Sequence, residues 1–129
     1  MTQDKTPLPS ADHRGTQVAL IFALVTERLS TYYEHGVWLT PAQGATRAGE
    51  WLGRTKRALP LPVRRHLSEL SDQLARQIAS TLSREAGLYA AHELTESLDP
   101  NYRSELALSV MAQCEAVFDA SGPLDDAST

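Results

Sequence analysis

Apolar positions recur along this chain at steps of three and four, the mark of helices with one dry face. Between residues 12 and 35, Val18, Ile21, Phe22, Val25, Leu29, Tyr32 and Tyr33 keep that rhythm. Leu20 and Leu24 fall on another side, so the segment is apolar nearly all round and requires burial all round. Two arrangements supply that burial: a central place in a bundle, or a seam with a second copy through Val18, Ile21, Phe22 and Val25. A homodimer with this helix central or at the seam is therefore expected. Asp12 is the expected cap and Gly36 the expected stop.

The remaining pattern predicts further helices over 45–59, 62–86, 88–98 and 100–120. Ala45, Ala48, Leu52 and Leu59 mark the dry side of the second. Pro60-Leu61-Pro62 ends it, because proline cannot continue the hydrogen-bond ladder. The third has the clearest period, in Val63, Leu67, Leu70, Leu74, Ile78 and Leu82, with Arg65–Glu69 and Asp72–Arg76 as i, i+4 pairs on its wet side. Gly87 interrupts it, and a short fourth helix follows with Leu88, Ala91, Leu94 and Leu98. Asp99-Pro100 reads as a cap and first-turn proline for the last helix, whose stripe is Tyr102, Leu106, Val110, Cys114 and Val117. No stretch alternates with period two between turn signals, so strands have little support. The expected fold is all-α, a compact bundle of four to five helices. Residues 1–11 and 121–129, polar or small and acidic, read as mobile tails.

Composition narrows the picture without changing it. At 129 residues and 42% hydrophobic content, the chain suits one domain with one core. The longest unbroken apolar run, Val18 to Val25, is eight residues. A membrane-spanning helix needs about 20. The N-terminal residues lack the basic-then-apolar layout of a secretory signal, so a cytoplasmic protein without membrane partners is expected. The single cysteine excludes an internal disulfide and a thiolate zinc cluster.

Charge is distributed unevenly. Residues 47–66 hold Arg47, Arg54, Lys56, Arg57, Arg64 and Arg65 against Glu50 alone, whereas residues 93–129 hold eight acids against Arg103. The basic segment is the candidate binding region. Arg47, Trp51 and Arg54 fall on neighbouring helical positions, so guanidinium groups can flank an indole. Arg and Trp are the usual anchors of protein interfaces. The same residues can neutralise phosphates and stack on a base. The competing reading is a solvated face whose arginines pair with the chain's own acids, those of residues 93–126 included. A helix-turn-helix reading of the segment is weakened by Glu50, which stands where that motif wants an apolar residue.

Candidate chemistry is sparse. His92-Glu93-Leu94-Thr95-Glu96 is a degraded metalloprotease box, with Glu96 where a second His belongs. No Glu-x-x-His pair, nucleophile elbow, Walker loop or Rossmann glycine pattern occurs. Cys114 lies in an apolar stripe with no cation beside it in sequence, which predicts a buried, unreactive thiol. The expected function is therefore that of a non-enzymatic interaction or regulatory protein, needing no cofactor, whose partner is another protein bound through Arg47, Trp51, Arg54, Lys56, Arg57, Arg64 and Arg65. The alternative is a nucleic-acid-binding regulator using the same segment. Behind these stand an acidic nucleic-acid mimic and an enzyme whose site only the fold assembles.

Overall fold

The computed structural model describes residues 10–99, 101–102 and 104–121. The described residues form five helices: α1 (Ser10–His35), α2 (Pro41–Arg54), α3 (Leu61–Ala79), α4 (Arg84–Glu96) and α5 (Glu105–Ser121). The bundle matches the all-α expectation. None of these helices is long and apolar enough to cross a membrane.

Helix α1 is the axis. It packs against each of the other four helices, which is how a helix apolar on nearly every side is accommodated. Val18, Leu20, Ile21, Phe22, Leu24 and Val25 are all buried by the chain's own helices. Of the two arrangements open to this helix, the central place is the one observed. Val18, Ile21, Phe22 and Val25 consequently form no seam on the surface, and any association between copies uses another face.

Local signals explain where the helix ends depart from the predicted ones. Helix α1 starts at Ser10, two residues before Asp12, and stops as expected at Gly36, which takes a left-handed φ of 77°. Helix α2 spans Pro41–Arg54 rather than 45–59. Thr40 Oγ1 accepts from the Gln43 amide at 3.1 Å, and Gln43 Oε1 accepts from the Thr40 amide at 2.9 Å. This capping box, with Pro41 in the first turn, begins the helix four residues early. The helix closes in a Schellman turn: the Arg57 amide donates to Leu52 O and the Lys56 amide to Gly53 O. Lys56 takes the left-handed position at φ 59°, where glycine is usual.

Helix α3 ends at Ala79 rather than at 86, because Ser83 starts a new helix by accepting from the Ala86 amide. Gly87 is therefore no break; it lies inside α4. A Cβ there would come within 2.0 Å of the Tyr33 ring, so glycine permits the close approach of α4 to α1. The expected start of the last helix at residue 100 is also displaced. The Asp99 carboxylate accepts from the Asn101 amide in a local turn, while Ser104 Oγ accepts from the Ala107 amide at the true start of α5. Pro100 itself lies outside the described residues, as do 1–9 and 122–129, where the predicted tails mostly fall. Ser10, Ala11 and Ser121, assigned to those tails, are helical.

The centre of the bundle holds a charge. Arg28, on the buried side of α1, is 1% exposed. Its Nε donates to Ser71 Oγ at 3.0 Å, its Nη1 to Leu39 O at 2.8 Å and Asp72 Oδ1 at 3.2 Å, and its Nη2 to Ser68 Oγ at 2.8 Å. Burial pulls the guanidinium below its ordinary pKa, and the Asp72 carboxylate acts against that shift. The group remains charged, since guanidinium does not lose its proton in proteins. Gly44 of α2 completes the cradle: a Cβ there would lie 2.2 Å from Ser68 Oγ and 2.4 Å from Arg28 Nη2.

Asp72 also receives Arg76 Nε at 3.0 Å. Arg76 in turn lies over the Trp38 ring at 4.8 Å, and Trp38 stacks on Tyr32 with centroids 4.2 Å apart. Of the two ion pairs expected on the wet side of α3, Asp72–Arg76 forms; Arg65–Glu69 does not close. Pairings of Thr16 with Arg57, Arg28 with Ser68 and Tyr33 with Ala79 ascend together, so α1 and α3 run parallel. Helix α2 runs back between them, with Gly44 at Arg28 and Arg57 at Thr16.

Removing the Arg28 side chain leaves Ser68, Ser71 and the Leu39 carbonyl without their guanidinium partner in the core, while Asp72, one-third exposed, keeps Arg76. Arg28→Ala should cost about 2–5 kcal/mol, from buried acceptors left unsatisfied at about 1–3 kcal/mol each and from the cavity left behind. Gly44→Ala should destabilise by a comparable route although alanine is the better helix former. Urea unfolding followed by circular dichroism measures both, and a loss below about 1 kcal/mol for Arg28→Ala would contradict this account. Phe22→Ala, in the buried part of α1, should cost about 3–5 kcal/mol in the same assay.

Candidate functional site

The predicted binding residues divide over three places. Arg47, Trp51 and Arg54 do come together, on the side of α2 that faces α1 and the end of α4. They line a cleft of about 410 Å³ with Glu27, Ser30, Thr31, Glu34 and His35 of α1, Glu50 of α2, and Thr95 and Leu98 from the α4 end. Arg64 and Arg65 lie on the opposite side of α2, in a crevice of about 840 Å³ between α2 and α3. Lys56 and Arg57 occupy the α2–α3 connector, where Arg57 Nη1 donates to Thr16 Oγ1. The Schellman turn after Arg54 makes this division: it takes residues 55–60 out of the helix and reverses the chain.

The first cleft has a distinct chemical character. Arg47 forms an ion pair with Glu27 of α1. Arg54, one turn beyond Trp51, is exposed and makes no hydrogen bond or ion pair with the described residues. Trp51 is half-buried, packed on one side against the core and open on the other. Leu98 is 46% exposed, a large apolar side chain on the far wall. Glu34 and Glu50 add carboxylates at the rim. Ser30 Oγ lies 3.3 Å from Thr95 Oγ1, a pair of hydroxyls rather than a hydroxyl and a base. The cleft thus offers an indole face, an apolar wall, an uncommitted guanidinium and separate carboxylates, a set suited to holding a side chain of a partner.

The own-acid pairing expected for the basic segment is only partly seen. Arg47 takes Glu27, which lies outside residues 93–126. Among the described residues, Arg54, Lys56, Arg64 and Arg65 pair with no acid. In contrast, Arg14, outside the basic segment, does reach the acidic end, meeting Asp119 at 2.8 Å.

Two other candidates are located plainly. His92 Nε2 lies 3.9 Å from Glu96 Oε2 on an exposed face of α4. Among the described residues no group of three His, Cys, Asp or Glu side chains is placed to hold a metal ion. Cys114 is fully buried, and desolvation pushes its thiol up to about 12.

No protein-family model, curated protein or solved structure matches this chain. The site therefore rests on its own geometry. Glu27 and Leu98 were not legible as site residues. Leu98 read as the last step of a helical stripe, but Ser97 ends the helix and leaves it facing the cleft. Its one sequence signal is an apolar residue stranded beside Asp99-Pro100.

The buried thiol has a consequence for pH. The unfolded chain loses this proton near pH 9 while the native state holds it to about pH 12. Unfolded molecules then bind fewer protons, so this group removes stability as pH rises through that window, by at most about 1.4 kcal/mol per pH unit. Below pH 8 its contribution is flat. Cys114→Ala should flatten the fall in urea midpoint between pH 9 and 10.5 relative to the unaltered chain. Native Cys114 should also resist thiol reagents at pH 8 until urea opens the fold.

Proposed function

We propose that the protein is a non-enzymatic interaction module that docks a protein partner on the cleft between α1, α2 and the end of α4. The observation that carries the reading is the alignment of Arg47, Trp51 and Arg54 on one wall, facing the exposed Leu98 on the other. An aromatic ring fixed on the core, ringed by charges that keep water at the edge, is the composition of an interface anchor. Cytoplasmic residence belongs to the same proposal.

The nucleic-acid reading is less well supported. A phosphate track needs successive cations on one face. Here the bases are divided between two sides of α2, and Glu27, Glu34 and Glu50 stand among those of the first cleft. The acidic end also supports a phosphate mimic poorly, because Asp119 is engaged by Arg14.

Arg54→Glu and Leu98→Asp test the proposal without touching the core. Each should change folding stability by no more than about 0.5 kcal/mol, as exposed substitutions do. Each should sharply reduce recovery of the partner when the tagged chain is purified from its native cell with nuclease present. Unchanged recovery from both variants removes this cleft as the docking site. Binding of generic duplex DNA that weakens steeply with salt, with a log–log slope near −0.9 per phosphate neutralised, would favour the alternative.

A further inference from the structure

We infer that the α2–α3 crevice is a binding site for a small carboxylate carried on an apolar body, anchored by the Arg64 guanidinium. This crevice adjoins the docking cleft at Glu50, which lines both, and the inference does not depend on that cleft.

Arg64 sits in the first turns of α3, half-buried against α2. Its Nε is buried and has no hydrogen-bond partner. The guanidinium also forms no ion pair among the described residues, although Glu50 and Glu69 line the same crevice. It lies over Gly49 of α2, where a Cβ would come within 3.0 Å of Nη1. The buried Nε turns one edge of the group into the protein, and the part that lines the crevice carries its charge with no acceptor among the described residues, a place that an incoming anion fills.

The surroundings specify that acceptor. Arg65, exposed and likewise unpaired, adds a second cation at the rim. The crevice wall includes Leu61 at the start of α3, a helix with no acid in its first turn and no side-chain cap at Pro60, so its positive end is uncompensated. Together these favour an anion. The planar fork of an arginine matches a carboxylate in a two-point contact. Glu50 and Glu69 on the walls disfavour a ligand with two or more negative charges, which sets a carboxylate above a phosphate. Pro41, Ala42 and Ala45 provide the apolar surface for the rest of the ligand.

Hexanoate is a suitable probe, with hexan-1-ol and inorganic phosphate as comparators. The full chain, ¹⁵N-labelled, is titrated with each while the Arg64 Nε–Hε resonance is followed by NMR. Hexanoate should shift that resonance saturably, and hexan-1-ol should not. Arg64→Gln, followed through the Gly49 and Leu61 amides, should weaken hexanoate binding about tenfold or more, since it removes the charged two-point contact. Gly49→Ala should also weaken it, by crowding the guanidinium without lowering helix propensity. Arg54→Glu, which disables the docking cleft, should leave it unchanged. The inference is overturned if hexan-1-ol binds as well as hexanoate, if phosphate binds more tightly, if Arg64→Gln binds normally, or if Arg54→Glu abolishes binding.

Discussion

A guanidinium at the centre of a helical bundle constrains everything around it. Arg28 has no contact with bulk water, so each of its nitrogens must find an acceptor within the fold. The acceptors come from two segments: the Ser68, Ser71 and Asp72 side chains of α3, and the Leu39 carbonyl in the α1–α2 connector. Satisfying them fixes the register of α3 against α1 and fixes how the chain leaves α1. Apolar side chains alone specify such a register only loosely, because sliding one apolar stripe along another costs little shape complementarity. A buried ion pair is weak evidence for added stability, since desolvation offsets much of its attraction. Its role here is to leave one arrangement of these three segments in which the charge is satisfied.

Two glycines carry that constraint outward. Gly44 admits Arg28 and Ser68 where any side chain would collide with them, and so sets how closely α2 lies across α1 and α3. Gly87 does the same for α4 against the Tyr33 ring. Once α2 is fixed at its start by Gly44 and at its end by the turn through Lys56, its two flanks face different neighbours. One flank looks toward α1 and the end of α4, the other toward α3. The proposed docking cleft and the Arg64 crevice are these two flanks, so both are downstream of the packing around Arg28.

The charge asymmetry of the chain acquires a different meaning in three dimensions. A run of six bases in twenty residues reads as one surface. In the fold it is a helix, a reversal and a second helix antiparallel to the first, and the bases diverge accordingly. Arg47 is neutralised by Glu27, Arg57 is engaged at Thr16, and Arg54 and Arg64 remain uncommitted on opposite flanks. The functional question therefore moves from the net charge of a segment to the surroundings of two separate guanidinium groups.

Local periodicity sets the helical class, the approximate place of each helix and the burial of nearly all of Val18 to Val25, because no tertiary contact has to supply that rhythm. It also placed Arg47, Trp51 and Arg54 together, since residues three and four apart on a helix are neighbours wherever that helix goes. Helix ends at Thr40, Ser83 and Ser104 rest on caps written in the chain, whereas tertiary packing shows why residue 87, inside α4, is a glycine: a Cβ there would meet the Tyr33 ring. The tertiary structure alone separated Arg64 and Arg65 from Arg47, and it alone brought Leu98 to Trp51. Arg28 marks the boundary between the two kinds of information. A base on an apolar face, and two serines among the leucines of α3, are visible along the chain, but nothing local says that they meet. That they do is a matter of acceptors some 40 residues away, and a hydrogen bond to a buried charge exists only once the fold has brought both ends together.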